Sequence, residues 1–388
     1  MSGAIFLTGG TGFLGSYVVT ELAREPGAPR LMLLTRVKDR AELEKKLWNA
    51  LQLHMGAAEF RKVLPRVDFV PGDLTAPGLG IPAELRARVA NEATSVLHIA
   101  ASLNRKSNKA CFNANLRGTL SVVKLAMEIA EGKGGLERFS DVSTSAVAGE
   151  RLHECVQEDE AIDWDRSDYD PYARTKKFAE TMVHELLPGV RKLVYRPTTV
   201  MGDSRFPQTS QFDMVRAFCF FVDLPAVPMS ASTRQDIVNA DFVGKAIARL
   251  HLKTAPEHEI YHLSSGLASP TSEAIAKAML KSAKRRGPVF LSPMEKPFAA
   301  VVDRLSSGPR GQLSLMASLL KVFLPYVTND VVFDNTRVTK ELGLSPVSFT
   351  EYCGPLYQWA KSVRFQYPYQ PLPPARDEER TAHPLAGG

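Results

Sequence analysis

Thr8-Gly9-Gly10-Thr11-Gly12-Phe13-Leu14-Gly15 decides the fold. It stands between an apolar run, residues 4–7, and a segment, residues 13–22, whose apolar side chains share one helical face. A strand that turns through glycines into a helix gathers free backbone N–H groups and the positive end of the helix dipole at one spot. Such a spot receives a pyrophosphate. Gly9 permits the tight turn, Gly12 lets the backbone approach the anion, and Gly15 lets helix and strand pack closely. Thr8, Gly10, Thr11, Phe13 and Leu14 complete the loop. A turn without a ligand is the alternative, and the position at the first strand–helix junction of an alternating chain argues against it.

That alternation extends outward. The apolar run 31–34 and the segments 67–70, 95–99, 138–142 and 192–195 read as strands. Segments 41–53, 84–90, 113–130 and 174–186 read as helices between them. Strands separated by helices require crossovers, hence a mainly parallel sheet covered on both faces. The expected fold is therefore α/β, a Rossmann doubly wound parallel sheet, with a smaller, mainly helical C-terminal subdomain for the substrate. Residues 1–200 form the dinucleotide core, which the chain re-enters at about 233–264 through a strand at 235–238, a helix at 242–250 and a strand at 259–263. Residues 201–232 and 265–365 form the subdomain, with helices at 272–281 and 312–323. The Pro- and charge-rich stretch 366–388 reads as a poorly ordered tail.

Composition excludes other classes. With 388 residues, 44% hydrophobic and 23% charged, the chain is neither disordered nor a disulfide scaffold. The formal charge of +6 suits anionic ligands, and no aromatic-basic module supports nucleic-acid binding. Cys111, Cys155, Cys219 and Cys353 show no metal-ligand spacing, so no metal is expected, and free thiols suit a cytoplasmic location. The N-terminus reads as a strand, not a signal peptide, and residues 217–222 are too short to span a membrane.

Residues at strand ends select the cofactor. After the second strand comes Arg36, with Lys38 and Arg40 close by and Asp39 among them. A guanidinium there suits a 2′-phosphate, and so NADPH. Asp73, followed by Leu74, ends the third strand where it can accept from the adenine amine. Ala100 and Ala101 let the middle of the cofactor pass close to the backbone.

Tyr172 and Lys176 lie four apart, one turn along a single helical face. An ammonium beside a phenol favours phenolate and suits proton transfer in carbonyl chemistry. The Ser143-Thr144-Ser145 cluster at a strand end offers a hydroxyl to the substrate oxygen.

This ordered set resembles the extended short-chain dehydrogenase/reductases over about the first 200 residues. It comprises the glycine loop, Gly72-Asp73-Leu74, His98-Ile99-Ala100-Ala101, Ser143-Thr144-Ser145 and Tyr172-Ala173-Arg174-Thr175-Lys176. Asn115-Leu116-Arg117-Gly118-Thr119 resembles the family's N-x-x-G-T helix start. Tyr195-Arg196-Pro197 with Val200 and Gly202 resembles its R-P-x-x-V-x-G segment, which places Pro197, Thr198 and Val200 beside the nicotinamide. The resemblance puts Thr144 in the place of the catalytic Ser/Thr, with Ser143 and Ser145 as alternates. It gives Tyr172 the proton transfer and Lys176 the cofactor ribose, and implies a water relay at Asn115.

Within that superfamily, residues 142–150 and the later Leu324-Pro325-Tyr326 and 332–336 segments resemble the thioester-reductase and fatty acyl-CoA reductase branch, of male-sterility type. This implies NADPH-dependent reduction of an acyl thioester to aldehyde, or on to alcohol. The chain shows no adenylation or carrier segment, so the thioester is expected in trans, on CoA or an acyl carrier protein. The competing expectations are a hydroxysteroid or 3-oxoacyl ketoreductase, a sugar-nucleotide epimerase or dehydratase, and a non-catalytic NADP-sensing regulator.

Three further features stand outside the motifs. Phe206, Phe212, Phe218, Phe220 and Phe221 either line an acyl tunnel or pack a core. The basic run 281–286 either meets CoA or carrier-protein charges or ends a solvated helix. The apolar segment 312–323 is a lid, a dimer surface, a peripheral membrane contact or a core helix.

Overall fold

The protein is described by a computed structural model over residues 3–281, 285–308 and 311–374. Seven strands form the central sheet: β1 (Ala4–Thr8), β2 (Leu31–Thr35), β3 (Val67–Pro71), β4 (Ala93–His98), β5 (Arg138–Val142), β6 (Lys192–Pro197) and β7 (Ile260–Leu263). Every pairing is parallel, in the order β7-β6-β5-β4-β1-β2-β3. The fold is the expected Rossmann-like α/β arrangement. β1, β2, β4 and β5 are buried along their whole lengths, which explains why they show no alternation of apolar and polar residues.

Helices cover both faces. On one lie α1 (Phe13–Arg24), α2 (Arg40–Leu51) and the later helix Ala240–Leu252, packed around Leu7, Leu33, Leu97 and Tyr195. On the other lie α3 (Ala83–Glu92), α4 (Thr119–Glu131) and α5 (Pro171–Leu186), around Phe6, Val70, Val96 and Phe139. The helix expected at 113–130 begins earlier. A short turn, Asn108–Cys111, leads into α4 through a π-helical stretch, Phe112–Gly118. A Cβ at Gly118 would lie 2.5 Å from Leu74 Cγ, so glycine there admits the residue that ends the loop after β3.

A second apolar cluster forms beyond β6. It joins α6 (Asp213–Asp223), α8 (Ser272–Lys281), α9 (Glu295–Ser306), α10 (Gln312–Thr328) and α11 (Phe349–Ser362), while α7 (Ala240–Leu252) returns to the sheet between them. Its core includes Phe218, Ile275, Leu324, Phe349 and Leu356. α6 and α11 were not predicted, although Val215, Phe218, Cys219 and Val222 in the first and Phe349, Tyr352, Cys353 and Leu356 in the second recur at helical spacing; Pro355 argues against a helix when only the sequence is read. The predicted strand at 235–238 shrinks to Ile237–Val238, which pairs with Thr199–Val200 outside the main sheet.

The C-terminal stretch differs from the expected loose tail as far as Pro374. Gln370 accepts from Trp48 Nε1 through its carbonyl at 2.8 Å and donates its N–H to Gln52 Oε1 at 2.8 Å. This strap fastens the chain onto α2. Residues 375–388 lie outside the described residues.

Candidate active site

The loops after β1 and β4 leave in opposite directions, and a cleft of about 960 Å³ opens where they part. This is the topological switch point at which open α/β sheets bind ligands. Its wall includes Thr8, Gly9, Thr11, Gly12, Phe13, Leu14 and Gly15. Gly9 has φ +78°, and a Cβ there would stand 2.6 Å from Ala100 N. A Cβ at Gly15 would stand 2.1 Å from Gly9 O. Gly12, which precedes α1, contributes no side-chain cap, so the amides of the first turn face the cleft. Backbone alone forms this cradle, and it fits a diphosphate. Gly10 is turned away: its Cβ would meet Leu7 and Leu33 at 2.6 and 2.7 Å, in the core.

Thr8 braces rather than reaches outward. Its hydroxyl accepts from Ile99 N and Ala100 N, both at 3.2 Å, and meets His98 Nδ1 at 2.6 Å. His98 Nε2 meets the Thr119 hydroxyl at 3.0 Å, and that hydroxyl donates to Asn115 O at 2.6 Å. The direction of each bond follows: Nε2 carries the proton and Nδ1 accepts from Thr8. Burial pushes His98 down to about 3, so it is neutral.

At one end of the cleft stand Arg36, Lys46, Asp73 and Leu74. Lys46 was not among the predicted residues. It projects beside the buried Leu43 and Leu47 of α2, and a lysine flanking an apolar stripe is the signal that points to it. Burial, then the nearby Arg36, push its ammonium down. Of the cations flanking Arg36 in sequence, Arg40 turns away, donating to Val67 O at 2.8 Å and Leu64 O at 3.0 Å. Asp39 caps α2 through Glu42 N at 2.8 Å. Asp73 accepts from the Thr75 amide and hydroxyl, both at 2.8 Å. Burial raises its carboxyl, and those bonds more than offset that, leaving it below the usual range.

Toward the middle, Ala100, Ala101, Thr144, Ser145, Tyr172, Pro197, Thr198 and Val200 line the wall. Asp170 caps α5 by accepting from Ala173 N at 2.8 Å, which sets the turn carrying Tyr172. Ser143, Thr144 and Ser145 all border the cleft, and the hydroxyls of the first two differ in their partners. Ser143 donates to Glu180 Oε2 at 2.6 Å, and Glu180 is closed on Arg196. Thr144 Oγ1 accepts only a long bond, 3.3 Å, from Ala146 N, and faces the cleft. Lys176 is 2% exposed and lies behind the wall, with Nζ 3.5 Å from Asp141 Oδ2. Asn115 is also behind the wall. Its side chain accepts from Ser102 N at 2.7 Å and donates to Thr175 Oγ1 at 3.1 Å, bracing the loop after β4 against α5.

The far end is built from distant segments. Arg105 lies 5.0 Å from the Tyr172 ring centroid and 5.1 Å from that of Tyr326, and pairs with Asp170 at 3.2 Å. Tyr326 also donates to Asp170 Oδ2 at 2.8 Å. Met214, Val215, Phe323, Asn329, Val331 and Phe333 complete this end. The phenylalanines proposed as a tunnel are elsewhere. Phe212, Phe218 and Phe221 are buried in the second cluster, where Phe218 and Phe221 border a separate cavity of about 30 Å³. α10 contributes Phe323 and Tyr326 to the cleft and Leu324 and Val327 to the core. The side chains of Leu313, Leu315, Met316, Leu319 and Val322 lie outside the described residues, as do Ser282, Ala283 and Lys284 of the basic run. Arg285 of that run pairs with Asp223 at 2.7 Å.

The NAD-binding family profile described as male sterility protein matches residues 7–247. The chain belongs to that family, within the extended short-chain dehydrogenase/reductases. Among its relatives is the nonribosomal peptide synthetase asaC of Aspergillus flavus, 29% identical over 266 residues, covering 66% of this chain and 25% of that protein. Another is the fatty acyl-CoA reductase wat of Drosophila melanogaster, 27% identical over 239 residues, covering 55% of this chain and 46% of that one. The chain thus matches a quarter to under half the length of these relatives. Its fold is that of the terminal R domain from the myxalamid PKS-NRPS biosynthetic pathway, with TM-score 0.78, 24% identity, and 94% and 92% of the two chains covered. The family is one of NAD-binding domains, and the glycine cradle of the cleft fits the diphosphate of a nicotinamide cofactor. No helix among the described residues is long and apolar enough to cross a membrane.

Proposed function

We propose that this chain is an NADPH-dependent reductase of acyl thioesters, with Tyr172 as proton donor. The observation that carries the reading is the convergence of Thr144 and Tyr172 on one wall of the cleft, between the glycine cradle and an end lined by Met214, Val215 and Phe323. Arg36 and Lys46 at the opposite end support a 2′-phosphate, hence NADPH rather than NADH. The relatives named for peptide synthesis and for fatty acyl-CoA reduction support a thioester, borne by a carrier protein or by CoA.

The reduced nicotinamide, when bound, supplies hydride to the carbonyl carbon. The amides of Gly12–Gly15 hold the diphosphate, and Arg36 and Lys46 the 2′-phosphate. Lys176, one turn beyond Tyr172, holds the nicotinamide ribose. Tyr172 gives its phenolic proton to the carbonyl oxygen, while the Thr144 hydroxyl donates a hydrogen bond to that same oxygen. The product is a hemithioacetal. Its C–S bond breaks, the carbonyl re-forms as an aldehyde, and the hydroxyl proton leaves on sulfur as free thiol. Water reprotonates Tyr172.

The test follows NADPH absorbance and thiol release together, using long-chain acyl-CoA, an acyl carrier-protein thioester and a 3-oxoacyl thioester. One thiol released for the first NADPH oxidised is expected. Oxidation of NADPH with the 3-oxoacyl substrate and no thiol release overturns the reading in favour of a ketoreductase. Tyr172→Phe should lower turnover at least about 100-fold with little change in NADPH affinity. Arg36→Ala with Lys46→Ala should weaken NADPH at least about tenfold more than NADH; equal weakening removes the 2′-phosphate assignment.

A further inference from the structure

Asp141 lies on β5, one residue before the stretch that lines the cleft, and is wholly buried. Neither of its carboxylate oxygens receives a hydrogen bond from any described residue. Its counter-charge is Lys176 Nζ at 3.5 Å, on a side chain that is itself 2% exposed. A carboxylate removed from water without donors to replace it is costly, so one held against a lysine of the candidate catalytic set calls for a physical account.

The surrounding elements leave Lys176 as that partner. On β4 the residue in register is His98, whose two ring nitrogens are taken by Thr8 and Thr119 and which is neutral. On β6 the residue in register is the apolar Val194. Beyond it, Arg196 is closed on Glu180. On α5, Arg174 and Lys177 pair with Asp168, at 3.2 and 2.9 Å, Glu180 is closed on Arg196, and His184, whose field also reaches Asp141, has its Nδ1 3.5 Å from Glu259. Burial pushes the Asp141 carboxyl up, and the Lys176 ammonium offsets this only in part, so the carboxyl stays above its ordinary value.

We propose that Asp141 is a positioning residue that anchors the Lys176 ammonium behind Tyr172 and offsets its field there, so that the phenol meets the substrate as a proton donor and the site is biased toward reduction. This rests on the proposed roles of Tyr172 and Lys176. Lys176 then has two partners: the carboxylate behind it and the cofactor ribose in front. An uncompensated ammonium would favour phenolate and so favour oxidation.

Asp141→Asn keeps the shape and removes the charge. The expected result is an alkaline limb of the pH–kcat profile for reduction displaced at least about one pH unit toward acid. kcat at pH 8.5 should fall about tenfold or more, while kcat at pH 6 and the NADPH dissociation constant stay within about threefold. Asp141→Glu, which keeps the charge, should restore the limb. A folded Asp141→Asn enzyme with an unmoved limb, or a Glu variant displaced as far as the Asn variant, overturns the proposal. If Asp141→Asn does not fold, the ¹³C carboxyl resonance of Asp141 in the unaltered protein decides: an ionised group at pH 7 supports the pair, and a protonated one overturns it. Tyr172→Phe in the same assay separates the two levels. Full activity there removes the proposed roles themselves, whereas an inactive Tyr172→Phe with an unmoved Asp141→Asn limb removes this inference alone.

Discussion

The sheet region and the C-terminal helical region are held together by different means. In the first, seven strands pair in parallel and two apolar layers close over them. In the second, α6, α8, α10 and α11 meet through a single apolar cluster. The joint between the regions is made by a few buried carboxylates. Asp236 accepts from the Thr198 hydroxyl at 2.9 Å, Ser265 N at 2.8 Å and Phe333 N at 2.9 Å. Glu158 accepts from His262 N at 2.9 Å and Arg337 N at 2.7 Å. The glycine cradle of the cleft therefore depends on backbone, which tolerates changes of side chain around it. The substrate end depends on individual side chains, which do not repeat and are easily exchanged. That contrast suits a scaffold that keeps one cofactor and varies its substrate.

Acid should divide the regions most strongly. His54, His98, His251 and His262 are all in the sheet region, and burial pushes each down to about 3. Below about pH 6.5 the unfolded chain takes up protons that the folded imidazoles refuse, so stability falls with pH, by about 2 kcal/mol per histidine between pH 7.5 and 5. Glu158, raised to about 7, and Asp236, raised to about 6, act in the opposite sense, because the folded state holds their protons more tightly. They return somewhat under half of that loss, and the net change is a destabilisation of about 4 kcal/mol. Thermal melts at pH 7.5 and 5 measure it, and hydrogen exchange at pH 5 should show the sheet opening with little change at the joint. A melting temperature unchanged between those values contradicts the assignment.

Asp236→Ala tests the joint itself. It strands the Ser265 and Phe333 amides and should destabilise the protein by about 3 kcal/mol. The loss should appear as early exchange in the C-terminal helices, with the sheet amides still protected. Uniform loss of protection would mean that the two regions unfold as one. The smallest effect belongs to the strap over α2. Trp48→Phe removes the indole bond to Gln370 and should cost about 1 kcal/mol, read from denaturant midpoints. A null result would place the strap's contribution in its apolar contacts instead.

The two regions also differed in how readily they could be read. β5 and α8 have the predicted limits, because each is bounded by residues that end its pattern. The glycine loop carried its own context, since a strand before it and a helix after it leave few uses for three spaced glycines. α6 and α11 were overlooked although their buried residues recur at helical spacing, because the prolines around the first and Pro355 inside the second read as helix breakers. Lys46 and Arg105 were missed because neither belongs to a motif. Lys46 becomes a cleft residue only when α2 packs beside β2, and Arg105 only when α10 brings Tyr326 over Asp170.

The sequence by itself determined the alternating α/β order, the diphosphate cradle and the Tyr172–Lys176 spacing. Each of these is local, set by residues within a turn or two of one another. Tertiary structure alone decided that Glu180, on another element, claims the hydroxyl of Ser143. It alone placed Asp141 beneath Lys176 and Arg105 against Tyr172. Those contacts join residues that only the parallel pairing of strands and the return of the C-terminal helices bring within reach.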